Sequence, residues 1–243
     1  MQRSYMQESA RSAMSTADQV SVTTSFVNRV YGWMSGGLVI SGVIAYLIGT
    51  DPNMTQKLIE NPGLVWGAFI GEFVLVLILS AGIKKMSSAV ATGCYVLFAA
   101  LTGVTLSLIF LRYSMASIAT TFFVTSLTFG VMSVYGYVTK RDLTSIGNLC
   151  FMALIGLIIA SVVNIFIGSS LLYWGVTYVG ILIFVGLTAY DTQKIKEMSI
   201  ALGSELSASE TGKKYAIMGA LALYLDFINL FLLLLRIFGG SKD

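Results

Sequence analysis

Three carboxylates lie in stretches of this chain that are too apolar to solvate them. Asp226 sits within the run Ala216 to Phe238, which is long enough to cross a bilayer, since a spanning helix needs about 20 residues. A charged side chain at the bilayer centre costs about 2.5–3.5 kcal/mol on insertion scales, so such an acid is expected to be paired, protonated or facing water. Asp191 lies near the end of the preceding apolar run, and Glu72 lies in the middle of the second. On a helix, Asn229 and Ala222 share a face with Asp226 at i+3 and i−4, and this more polar face is expected to point into the protein. Asp191 can be solvated at its helix end, or pair with Lys194 one turn on. It can also face Asp226 if the two helices are antiparallel neighbours. Two facing carboxyls in a low-dielectric site cannot both ionise cheaply, so the pair would hold one proton between them. Proton sensing and binding of a hard cation are the two uses such a cluster suggests. Calcium takes six to eight oxygen ligands. Asp191, Asp226, Glu72, Asn229 and backbone carbonyls could supply part of that set, though no EF-hand spacing is present.

The rest of the composition limits how that chemistry can run. Of 243 residues, 56% are hydrophobic and 11% charged, with a mean hydropathy of +0.82. Soluble domains carry about 25% charged residues, so the chain reads as a polytopic membrane protein. The sequence contains no histidine, the side chain best suited to sensing pH near neutrality. Proton chemistry must therefore run on carboxylates, with tyrosine as the other candidate. Cys94 and Cys150 both fall in apolar runs and read as small buried hydrophobes rather than a disulfide or metal pair. A net charge of +3 gives no reason to expect nucleic acid. Residues 1–25 are polar and lack the apolar core of a cleavable signal peptide.

Seven apolar segments are expected, at 28–49, 63–82, 88–111, 115–138, 143–168, 171–192 and 215–238. This gives a polar N-terminal tail at 1–27, an all-α transmembrane domain at 28–238 and a short tail at 239–243. The stretch from Thr192 to Lys214 is the one internal segment polar enough to read as a solvent loop. Pro62 suits a helix start. Glycines at 32, 36, 37, 42, 49, 67 and 71 suit close helix packing. With the N-terminus in the cytoplasm, eleven of the fifteen basic residues fall inside: Arg3, Arg11, Arg29, Lys84, Lys85, Lys140, Arg141, Lys194, Lys196, Lys213 and Lys214. Lys57, Arg112, Arg236 and Lys242 fall outside, a bias that fits the positive-inside rule. Full crossing by the seventh segment places the C-terminus outside, and a re-entrant seventh segment returns Lys242 inside.

Three stretches carry a resemblance. They are Val30-Tyr-Gly-Trp-Met-Ser-Gly-Gly-Leu38 with Ala45 and Tyr46, Ala189-Tyr-Asp-Thr-Gln-Lys-Ile195, and Leu223-Tyr-Leu-Asp-Phe-Ile-Asn-Leu-Phe231 followed by Leu235-Arg-Ile-Phe-Gly239. On these the chain resembles bacterial members of the Bax-inhibitor-1 family, also called the transmembrane Bax inhibitor motif family. The resemblance implies seven transmembrane helices with the last at the centre of a bundle of six. It also implies a pH-dependent calcium leak gated at an aspartate pair. Asp191 and Asp226 fall on the family's two aspartates and Glu72 on its second-helix glutamate, with transient calcium expected at Asp191 and Asp226. The resemblance also implies a latch, since a bacterial relative closes by pairing an arginine at the end of the second helix with the aspartate that Asp191 matches; at that position this chain has Ile83, followed by Lys84 and Lys85. A lysine could serve as a point charge but not as a bidentate fork.

The expected function is thus a pH-sensitive calcium leak in the bacterial inner membrane. Its expected partners are the lipid bilayer, calcium and protons, with no tightly bound cofactor and no nucleic acid. The alternative is a regulator that binds a membrane-bound protease or other membrane proteins. The chain is not expected to be an enzyme. Intramembrane aspartyl proteolysis would need Gly-x-Gly-Asp where Leu223-Tyr-Leu-Asp226 stands, and a Pro-Ala-Leu motif in a chain whose last proline is Pro62.

Overall fold

A computed structural model describes the backbone of residues 16–240 and the side chains of 21–203 and 209–240. Among these residues the chain is all helical. Its elements are α1 (Thr16–Thr50), α2 (Pro52–Glu60), α3 (Pro62–Gly82), α4 (Ser88–Leu106), α5 (Ile109–Arg112), α6 (Met115–Val138), α7 (Thr144–Ile167), α8 (Ser170–Ala208) and α9 (Glu210–Phe238). Seven stretches are long and apolar enough to cross a membrane, and they follow the order read from the sequence.

Polar residues at the segment ends set where the helices begin. Asp51 accepts from the backbone N–H of Asn53 at 2.8 Å and opens α2. Ser87, Ser114 and Ser209 cap α4, α6 and α9 through their hydroxyls. Each such cap satisfies a backbone donor that the helix leaves unpaired. Pro62 occupies the first turn of α3. Gly168, with φ +66°, ends α7 in the left-handed conformation that glycine adopts without strain.

Two boundaries differ from the sequence reading. The tail expected at 1–27 already includes helix from Thr16, and Phe26 and Val27 are buried in the core. Residues 1–15 of that tail, with Arg3 and Arg11, lie outside the described residues, as does Lys242. The stretch expected as a solvent loop from Thr192 to Lys214 is helix almost throughout. α8 continues to Ala208, breaks direction at Gly203 (φ +70°), and α9 starts at Glu210. Polarity alone misread this segment because a helix leaving the apolar layer keeps its backbone bonds while its side chains turn polar.

α9 is the axis of the molecule. Of its apolar window 67% is buried, against 6% for α7. α1, α4, α6 and α8 pack directly around it, α3 lies mainly against α4, and α7 lies mainly against α8. α9 also runs the full length of the bundle. Beside its first turn, Glu210 accepts from the Ser88 backbone and hydroxyl at the start of α4. Past its other end, Gly240 N–H donates to Ser117 at 3.0 Å, beyond the far end of α4. A re-entrant last helix does not fit this arrangement.

Candidate functional site

Close backbone approaches fix α8 at the level of Asp191. Gly136 of α6 packs against the Ala189 carbonyl, and Gly147 of α7 packs against the Tyr190 ring. A Cβ at either position would overlap the neighbour. Gln193 then ties the α6–α7 connection to the same helix. Its Oε1 accepts from Leu143 N–H at 2.9 Å and its Nε2 donates to the Arg141 carbonyl at 2.8 Å. Tyr31 and Thr192 share a hydroxyl contact at 3.1 Å that attaches α1. Lys196, expected among the solvent-loop lysines, instead donates to the Tyr137 carbonyl at 2.7 Å.

Held this way, Asp191 meets Asp226 of α9, and the two carboxyls lie within hydrogen-bonding reach of each other. Asp226 is 4% exposed, and its Oδ2 has no hydrogen-bond partner among the described residues. Two carboxylates can bond to each other only if one carries a proton. The Lys194 ammonium lies near Asp191 without forming an ion pair, and rests 5.6 Å from the Tyr190 ring centroid. Cys150 also lies near Asp226. The pair lies at a cavity of about 870 Å³, which Asn229, Lys194 and Tyr190 also line.

Glu72 is elsewhere. It accepts from Thr105 at 2.9 Å and also meets Thr102 of α4. Thr102 in turn meets Tyr224 of α9, whose hydroxyl contacts Ser41 of α1. Tyr224 and Asp226 are two residues apart, so they point about 200° from each other around the helix. The structure therefore joins Asp191 and Asp226, with Asn229 along the same cavity, and places Glu72 in a separate hydroxyl cluster across α9. No group of three acidic, histidine or cysteine side chains able to hold a metal occurs among the described residues.

Lys84 and Lys85 are exposed in the turn after α3 and pair with no acid among the described residues, whereas Ile83 is buried. Lys214 approaches the Lys84 carbonyl at 3.4 Å. Lys84, Lys85, Lys140, Arg141, Lys194, Lys196, Lys213 and Lys214 belong to segments that gather at one end of the bundle. At that end the Thr144 hydroxyl, together with its N–H donating at 2.8 Å, holds the Asp142 carboxyl below the usual carboxylate range. Gln193 and the hydroxyl cluster around Tyr224 were missed in the sequence. Gln193 sits two residues from Asp191 in a polar patch, which was the only available signal.

Residues 23–243 match the family model described as inhibitor of apoptosis-promoting Bax1. The inner membrane protein YbhL of Escherichia coli K12 is 50% identical over 220 residues, covering 90% of this chain and 92% of its own. An uncharacterized protein of Deinococcus radiodurans is 41% identical over 98% of both chains, and one of Borreliella burgdorferi is 43% identical over 93% of this chain and 96% of its own. With its seven apolar helices, the chain is an integral inner-membrane protein, and it belongs to the Bax-inhibitor-1 family.

Proposed function

We propose that this protein is a pH-sensitive cation leak, passing calcium across the inner membrane under the control of the Asp191–Asp226 pair. The observation that carries the reading is the contact between two carboxyls beside a cavity, one of them almost fully buried and with an unpartnered oxygen. With one proton the pair is held together and bears a single charge. Loss of that proton puts two like charges in contact where little water screens them, which favours separation of α8 from α9 or entry of a cation. A carboxylate-lined site suits a hard divalent ion, held transiently because the ligand set is incomplete. Glu72 belongs to this reading as a separate acid against α4, not as a third ligand at the pair.

The orientation follows from charge. The end that gathers eight lysines and arginines is the cytoplasmic one, which places the first turn of α9 inside and Arg236 outside. On this reading the protein is not an enzyme and needs no bound cofactor. The test is calcium influx into liposomes containing the purified full chain, measured at pH 6, 7 and 8. Influx above that of empty liposomes, changing with pH, is expected. Influx equal to that of empty liposomes at all three values overturns the proposal and favours a regulator of a membrane protease or another membrane partner.

A further inference from the structure

The cavity at the acid pair continues well past it. Its floor on α9 runs from Ala222 through Asp226 and Asn229 to Arg236, and its apolar wall is built by α7. Phe151, Ile158 and Ile165 of that wall are 60%, 54% and 78% exposed, so the slot opens on the flank that an apolar spanning helix turns to lipid. About 870 Å³ is within the range of sites that hold small ligands.

The far end of the slot has a different chemistry. Arg236 lines it, lies 5.1 Å from the Tyr173 ring centroid, and has no ion-pair partner among the described residues. Tyr173, Trp174 and Tyr178 pack in series beside it. Aromatic residues of this kind gather at headgroup depth. A guanidinium there, at the mouth of an apolar slot, suits a phosphate diester. The length also fits. Arg236 follows Asp226 by ten residues, or about 15 Å along the helix, and half of a hydrocarbon core about 30 Å thick is about 15 Å.

We infer that the slot between α7 and α9 binds one bilayer phospholipid, with its phosphate on Arg236 and one acyl chain ending over the Asp191–Asp226 pair. The chain seals the pair from the membrane side and leaves water access from the Lys194 end. The site does not depend on whether the protein conducts calcium, because occupancy is read without any flux.

The test uses the full chain in phosphatidylcholine vesicles containing a trace of phosphatidylcholine with a diazirine at the end of one acyl chain. After irradiation, labelled peptides are mapped. Enrichment at Ala222, Leu225 and Leu157 over the exposed Phe69 and Phe73 of α3 is expected. Arg236→Gln should lower the groove label about tenfold, the loss of one charge-assisted contact, with the label at Phe73 unchanged. Ser161→Phe narrows the slot without touching Arg236 or either acid and should lower the same label, which keeps the test decisive if Arg236→Gln does not fold. Groove labelling no higher than at Phe69 and Phe73, or groove labelling that survives the folded variants, overturns the inference.

Discussion

Gly136→Ala is the substitution whose effect the packing fixes most closely. Its added Cβ would overlap the carbonyl of Ala189. Backbone cannot swing aside as the tip of a side chain can, so α6 and α8 must move apart. Overpacking of this kind costs about 1–3 kcal/mol. Alanine returns up to about 1 kcal/mol of helix propensity, leaving a net loss of about 0–2 kcal/mol. For a chain of this size each kcal/mol shifts Tm by about 2–4 °C, so a fall of up to about 8 °C is expected. Gly130, six residues earlier on the same helix, has nothing within 4 Å of its added Cβ. Gly130→Ala should therefore hold Tm or raise it by a few degrees, about 2–4 °C at most. The assay is thermal unfolding of both variants and wild type in one detergent, followed by circular dichroism at 222 nm. Because Ala189 lies two residues before Asp191, Gly136→Ala should also blunt any pH response that depends on the acid pair. Equal Tm values for the two glycine variants would refute the argument that this helix crossing sets the position of Asp191.

Other consequences follow from the same geometry. Glu72→Gln should keep the pH dependence of calcium flux, because Glu72 bonds to α4 across α9 from the pair. Loss of the pH dependence in that variant would place Glu72 in the sensor. Replacing Lys84 and Lys85 together by alanine should leave basal calcium flux at neutral pH unchanged, because neither lysine pairs with an acid among the described residues. A raised flux would mean that a basic latch acts there, though an exposed pair is worth only about 0–1 kcal/mol. Ile83→Arg is a poor test of that latch, because Ile83 is 4% exposed in the core. The carboxyl of Asp142 is held down by Thr144. Its stabilising contact is thus present above the ordinary carboxylate range and lost only as pH falls through the lowered value. Asp142→Asn should leave any response between pH 6 and 8 intact, as flux profiles over that range will show.

Composition and the order of apolar segments made the membrane class and the seven helices legible in the sequence, because both depend on run length rather than on contacts. Asp226 was legible for the same reason, being an acid where no solvent reaches. That Asp191 meets it was only one of several readings, since Asp191 sits near a helix end where solvation or Lys194 would also have sufficed. What selects among these is the α6–α8 crossing at Gly136 and the brace from Gln193, and neither is visible in spacing. Glu72 lies in the middle of its apolar run, but position along a helix says nothing of direction around α9. The segment 192–214 was misread because polarity there marks a helix emerging from the apolar layer, not a loop. The gap that leaves one side of α9 facing a groove depends on which helices pack on which, and no pattern in the chain encodes that.

In the proposed function, Asp191 and Asp226 act as one proton-sharing unit that controls calcium passage. The most direct measurement is the calcium influx profile from pH 6 to 8 for wild type and Asp226→Asn at matched reconstitution, with Asp191→Asn as the reciprocal variant. Wild type should show a pH-dependent rate and each variant a flat profile, since neither variant retains a pair to share the proton. Superimposable profiles for wild type and Asp226→Asn would contradict it.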